Sequence, residues 1–350
     1  DPLEPPSGWF AERLKQNRCL ILLDGLDEIA DEAERRIVSR WVDFQMKEYS
    51  DVPFILTSRP LGYQQAKLEQ SVTVLEVQPF TLKQMQQFIR IWYLETEIKS
   101  QDNTDDLGVR NEANNQADDL IKRIRDSAPL VAMAVNPLLL TMITTVHRRG
   151  SALPGKRVEL YKEICQVLLE KRQRAKGIVN KLTASQNQSV LQGLALDLMI
   201  HKTRSFVLPN VEDLLQQRLR LVFKDEANPK QFLKQILEVS GLLVAKEEGI
   251  YEFVHLSFQE YLASVEIRES NQESLLTNAF HNPEQLSWWA ETIRLYSAHG
   301  DSSNIIQAAI KCSSVEALAL AFDCVEEGKS VDPSVRTELE TILEEGLEAR

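Results

Sequence analysis

Leu20-Ile21-Leu22-Leu23-Asp24-Gly25-Leu26-Asp27-Glu28 decides how the chain is read. With Cys19 in front, it is a continuous apolar run of strand length that stops on carboxylates. Such a run is the pattern of a strand covered on both faces in a parallel sheet, where neither face tolerates polar side chains. A second run, Pro53-Phe54-Ile55-Leu56-Thr57, leads into Ser58-Arg59-Pro60, and residues 72–77 read as a third strand. Helical spacing over 31–47 separates the first two, and strands alternating with helices predict an open parallel α/β sheet. Ligands bind such sheets beyond the carboxyl ends of the strands. Asp24 and Arg59 both follow strands directly, so both point to that place.

On either side the pattern is helical. A Pro-rich opening, 1–7, precedes a short amphipathic helix at 8–16. Thr81 is a good N-cap for a helix over 82–95, and a polar, Asn/Asp-rich loop is expected at 100–116. Apolar residues at three- and four-residue spacing predict helices at 117–125, 137–148 and 158–174. Helices at 186–202, 211–222 and 229–239 then precede strands at 242–245 and 250–254 and a further helix, the order of a winged helix. Short amphipathic helices over 286–347 suggest a helical-repeat region.

At 350 residues the chain exceeds one small domain. Hydrophobic residues at 43% and charged residues at 26% are globular values, which excludes disorder throughout. A formal net charge of −12 is the wrong sign for a general nucleic-acid or anionic-membrane binder. No apolar run reaches the ~20 residues of a membrane span. Cys19, Cys165, Cys312 and Cys324 are scattered, which argues against a zinc site or a disulfide framework and fits a reducing cytoplasm.

The candidate chemistry is acidic and basic in turn. Asp24, at the end of a buried strand, suits a Mg²⁺ ion that takes few carboxylate oxygens and keeps water and phosphate as its other ligands. Asp27 and Glu28 can polarise an attacking water; the plainer alternative is an acidic turn that caps the next helix. The Arg59 fork can clamp a γ-phosphate, or can be an ordinary surface pair. Pro137 can simply open a helix at its first position, and His255 can be a satisfied core histidine at a strand end. Phe258, Tyr261 and Leu262 are at core spacing, with Gln259 and Glu260 on the helix surface or in a domain contact. Gly150-Ser-Ala-Leu-Pro-Gly155-Lys156-Arg157 imitates a phosphate loop, yet it follows a helix and ends on Arg where Ser or Thr must reach the metal. It is read as a loop.

Taken in order, these segments resemble the NACHT subgroup of STAND signalling NTPases, relatives of AAA-type ATPases. Leu20 to Glu28 is similar to the family's extended Walker B motif, and Thr57 to Pro60 to its sensor-1 segment. Asn136-Pro137-Leu138-Leu139-Leu140 is similar to the helical-domain motif whose proline packs on adenine. Tyr251 to Ala263 resembles the winged-helix signature whose histidine, here His255, reaches the β-phosphate of ADP. The resemblance implies an α/β plus α fold in four parts. These are the C-terminal part of a P-loop, AAA-like parallel sheet over 1–80, a helical domain over 81–180, a winged helix over 181–270 and a helical region over 271–350. It also implies ATP or ADP with Mg²⁺, held by Asp24 for the metal and Arg59, Pro137 and His255 for the nucleotide, with Asp27 and Glu28 as the catalytic acids.

The function implied is a cytoplasmic, nucleotide-gated signalling switch of bacterial defence or cell death, whose exchange or slow hydrolysis drives oligomerisation. Its partners would be its own copies, an upstream effector domain and a C-terminal sensor. The sequence contains no Walker A motif, so it is expected to begin partway through the nucleotide-binding domain, to bind nucleotide weakly and to hydrolyse little by itself. Without that upstream strand, 72–77 is expected to lack its usual neighbour. Two other readings compete. One is a helical protein-interaction scaffold with vestigial nucleotide motifs. The other is a winged-helix DNA binder using Lys202, Arg204, Arg218, Arg220 and Lys224, which the net charge disfavours.

Overall fold

A computed structural model describes residues 5–29, 32–58, 60–150, 152–171, 182–222, 228–247 and 249–348. The fold is mostly helical with small sheets. It divides into two compact units, one of 1–75, 195–206 and 263–350, the other of 76–194 and 207–262.

The first unit opens with helix α1 (Trp9–Lys15), strand β1 (Ile21–Leu23), helix α2 (Glu32–Glu48), strand β2 (Phe54–Leu56) and helix α3 (Pro60–Gln65). β1 and β2 pair in parallel, with Ile21, Leu22 and Leu23 opposite Phe54, Ile55 and Leu56. The expectation of strands covered on both faces is corrected: Leu22 is 65% and Ile55 52% exposed, while their neighbours in sequence are only half-buried. Side chains alternate along a strand, so a pair with elements on one side shelters every second residue only. The third strand expected at 72–77 is also corrected, since 71–80 carries no regular structure and Val74 and Leu75 are exposed. A strand needs a hydrogen-bonding neighbour, and apolar content alone does not supply one.

The same unit closes with α13 (Ser274–His281), α14 (Pro283–His299), α15 (Ser303–Cys312), α16 (Val315–Glu327) and α17 (Pro333–Glu348). These pack on one another through Leu276, Phe280, Trp289, Ile293, Ile305 and Leu320, all buried. Burial pushes the Cys324 thiol up to about 12, which suits a packing residue rather than a nucleophile.

The second unit starts with α4 (Leu82–Ser100), whose buried stripe Met85, Ile89, Tyr93 and Glu97 repeats every four residues. Thr81 and Gln84 form a reciprocal capping box at its start. Helix α5 (Leu107–Arg125) overturns the loop expected at 100–116 from residue 107 onward, while 101–106 is a loop as expected. Asp106 caps it by accepting from Val109 N–H, and its Asn and Asp residues lie mostly on the exposed face, where polarity does not oppose a helix. Helices α6 (Ala128–Ala134), α7 (Pro137–Arg148) and α8 (Arg157–Gln166, continued by a π turn over Val167–Lys171) follow. Residues 172–174, also expected to be helical, lie outside the described residues. A hydrogen-bonded chain ties three of these helices: Tyr93 OH lies 2.6 Å from His147 Nδ1, and His147 Nε2 lies 2.9 Å from Asp119. The bond from His147, with Arg123 adding to it, holds the Asp119 carboxyl below its ordinary value.

The winged-helix elements are α9 (Ala184–Ile200), β3 (Ser205–Val207), α10 (Leu208–Val222), α11 (Pro229–Val239), β4 (Leu243–Glu247), β5 (Ile250–Phe253) and α12 (Leu256–Glu269). The strands form a sheet in the order β3-β5-β4, with Leu243 opposite Phe253 in an antiparallel hairpin. Tyr261 stacks on Tyr161 of α8 at 5.4 Å, and Phe258 meets the same ring edge-on. Gln259 and Glu260, expected on the helix surface or in a domain contact, are buried at 0% and 1%, which rules out the surface alternative.

Candidate functional site

The site begins where β1 and β2 end side by side. Their ladder runs one step further: Thr57 N–H donates to Leu23 O at 2.9 Å, and Leu26 N–H to Thr57 O at 3.0 Å. The Thr57 hydroxyl accepts from Gly25 N–H at 2.9 Å and donates to the Asp24 carboxylate. One threonine therefore fixes both the turn and the acid. Gly25 makes the turn at φ 77°, a region that side-chain-bearing residues avoid. Leu26–Glu28 is a single 3₁₀ turn anchored by buried Leu26.

The three carboxylates have separate surroundings. Asp24 is exposed. Asp27 packs on Gly62 of α3, where a methyl group would come within 2.5 Å of the Asp27 Cβ. Glu28 folds back over Gly25 and forms an ion pair with Arg204, in the short turn between α9 and β3. Just beyond, Arg35 of α2 is wholly buried and donates to the Ile29 carbonyl from Nε at 2.9 Å and Nη2 at 2.7 Å. Thr57, Arg35 and Arg204 were not candidates for this site in the sequence. Thr57 alone carried a signal, its place directly after β2.

The donor set suits a divalent cation brought by a nucleotide. Asp24 offers a hard, exposed carboxylate, and Mg²⁺ needs only one or two such oxygens beside phosphate and water. Among the described residues no group of three or more His, Cys, Asp or Glu could cage a metal. Arg59 lies outside the described residues.

Pro137 and His255 belong to the second unit. Pro137 is the first residue of α7, and Asn136 caps that helix by accepting from Leu138 and Leu139 N–H. The helix-opening role is thus real, and the ring is also exposed. His255 is exposed rather than a core histidine. Its Nδ1 accepts from Ser257 N–H at 3.2 Å at the start of α12, which in the neutral ring places the proton on Nε2. The imitation phosphate loop connects α7 to α8, as expected. Of the five basic residues weighed for DNA, Arg204 pairs with Glu28, Arg218 lies over Gly193, and Lys224 is outside the described residues.

Among the described residues no helix is long and apolar enough to cross a membrane. No curated protein matches the sequence. Residues 1–95 match the NACHT domain, and residues 157–267 match the winged helix-turn-helix domain C-terminal to NACHT. A NACHT domain implies signalling of the STAND NTPase type, with nucleotide bound beside a divalent metal. With the acidic turn inside the first match and the hairpin and His255 inside the second, the chain belongs to the NACHT-domain STAND NTPases.

Proposed function

We propose that this chain is the switching part of a nucleotide-gated signalling protein that binds ADP or ATP with Mg²⁺ and couples exchange or slow hydrolysis to oligomerisation, in bacterial defence or cell death. β1 and β2 are then two strands of a P-loop-type sheet. The regions 1–80, 81–180, 181–270 and 271–350 serve as nucleotide-binding part, helical domain, winged helix and helical region. The observation that carries the reading is the parallel register of β1 and β2, which sets Asp24 and Thr57 at one sheet end, joined by a hydrogen bond.

In this reading Asp24 holds the metal, which when bound neutralises phosphate charge. Thr57 keeps the Asp24 carboxylate aimed outward. Asp27 and Glu28 orient and polarise water. His255 donates from Nε2 to the β-phosphate of ADP, and Pro137 offers its exposed, apolar ring to adenine. Arg59, two residues after Thr57, reports the γ-phosphate. A switch requires ligands with unequal affinity for two states, and a β-phosphate contact opposed to a γ-phosphate contact supplies that inequality.

The test is binding of a fluorescent ADP to the chain with and without Mg²⁺. His255→Ala is expected to weaken binding about tenfold, the loss of one charge-assisted hydrogen bond. Asp24→Asn is expected to abolish the Mg²⁺ dependence. Binding that is absent, or unchanged in both variants, defeats the reading.

A further inference from the structure

We propose that Arg204 is an inhibitory counter-ion of Glu28: while the pair is closed the carboxylate is masked, and a bound nucleoside triphosphate opens it. The inference rests on the reading of Asp27 and Glu28 as the water-polarising acids, and it adds a positioning residue that controls one of them.

The two residues are 176 positions apart, one in the acidic turn and one in the winged-helix match. Their side chains are 33% and 21% exposed, so the pair is partly withdrawn from water and from screening salt. A carboxylate can orient or deprotonate water only through lone pairs that face it. A guanidinium occupies those lone pairs with directed N–H bonds, and its charge makes the carboxylate a poorer base.

The local build favours this closed arrangement. Glu28 Cγ, Cδ and Oε2 lie 2.6–2.9 Å from where a Gly25 Cβ would stand, so the side chain folds over the turn only because residue 25 is glycine. Arg35 clamps the Ile29 carbonyl, which fixes the backbone directly after Glu28. The adjustable part is therefore the Glu28 side chain. On the other side, Lys202 at φ 53° and the Thr203 hydroxyl, donating to Ser205 O at 2.8 Å, hold Arg204 in a tight turn before β3. A shift of that turn withdraws the guanidinium without unfolding the acidic one.

Carbodiimide with glycine ethyl ester labels accessible carboxylates, and mass spectrometry reads Asp24 and Glu28 separately in the full chain. Glu28 is expected to label about fivefold more slowly in the wild type than in Arg204→Ala, the factor a part-sheltered ion pair sets. Asp24 is expected to label equally in both. Arg204→Lys, which keeps the charge and loses the fork, should fall between them, and it carries the comparison if the alanine variant fails to fold. Mg·ATP should raise Glu28 labelling in the wild type towards the variant's level while it slows Asp24. Equal Glu28 labelling in wild type and variants overturns the masking. Mg·ATP that protects Asp24 but leaves Glu28 masked overturns the opening step alone. Mg·ATP that alters neither carboxylate overturns the nucleotide reading and the opening with it, while the variants still score the masking on its own.

Discussion

Within the first unit, the stretch from α1 to α3 and the stretch from α13 to α17 treat apolar surface in opposite ways. In the former, Leu20, Leu22 and Ile55 around the strands and Ile37, Trp41 and Phe44 on α2 are all more than half exposed. In the latter, Phe280, Ile293, Ile305 and Cys324 are at most 1% exposed. The difference follows from geometry. A helix stacked in an array buries its stripe against its immediate neighbours, so the array closes locally. A two-stranded parallel pair presents two faces and two edges and covers few of them itself. The candidate site thus sits where the packing is thinnest, and its order comes from hydrogen bonds by Thr57, Arg35 and Arg204 around one buried anchor, Leu26, more than from an extended core.

The largest effect is expected where the packing is densest. Phe280→Ala removes a fully buried ring from α13 and should lower stability by about 3–5 kcal/mol. Denaturant unfolding followed by the fluorescence of buried Trp288 and Trp289 on α14 checks it. A loss below about 1 kcal/mol would show that the array is looser than its burial implies.

The sequence placed the acidic turn better than it described the sheet. The place of Asp24, Asp27 and Glu28 straight after β1 was legible because an apolar run that closes on carboxylates marks a strand end, and the winged-helix hairpin because a Lys-Glu-Glu-Gly turn divides two short apolar runs. Burial of the strands was not legible. Leu22 and Ile55 read as core from their own chemistry, but exposure is set by what lies beside them. Residues 72–77 failed as a strand for the same reason, since β propensity does not provide a partner ladder. Residues 107–116 failed in the other direction, because Asn and Asp at solvent-facing positions are compatible with a helix once Asp106 caps it. For Gln259 and Glu260 the sequence left surface and domain contact open, and their burial excludes the first, against the usual exposure of polar helix residues. The Arg204–Glu28 pair spans 176 positions, and no local pattern reports a contact at that separation.

A middle-sized effect should come from the turn itself. Gly25→Ala puts a Cβ at φ 77° and 2.6 Å from the Glu28 carboxyl carbon. The backbone strain should cost about 1–3 kcal/mol. The same methyl group should push Glu28 off Arg204 and raise its carbodiimide labelling. If the unfolding midpoint and the labelling both stay at wild-type values, the turn is not constrained by that glycine.

The smallest expected effect sharpens the comparison most. Leu22 has the size and hydrophobicity of a core residue and lies in the middle of a strand, so a sequence-based view predicts a large loss on Leu22→Ser. Exposure of 65% predicts otherwise, because most of the side chain never left water. The expected change in folding stability is under about 0.5 kcal/mol. What should change is association, since an exposed apolar strand beside Ile55 favours contact between chains. Light scattering at rising protein concentration should therefore grow more slowly in Leu22→Ser while the unfolding midpoint holds. A midpoint that falls as far as in Phe280→Ala would mean that the two regions are packed alike, and the contrast between them would be lost.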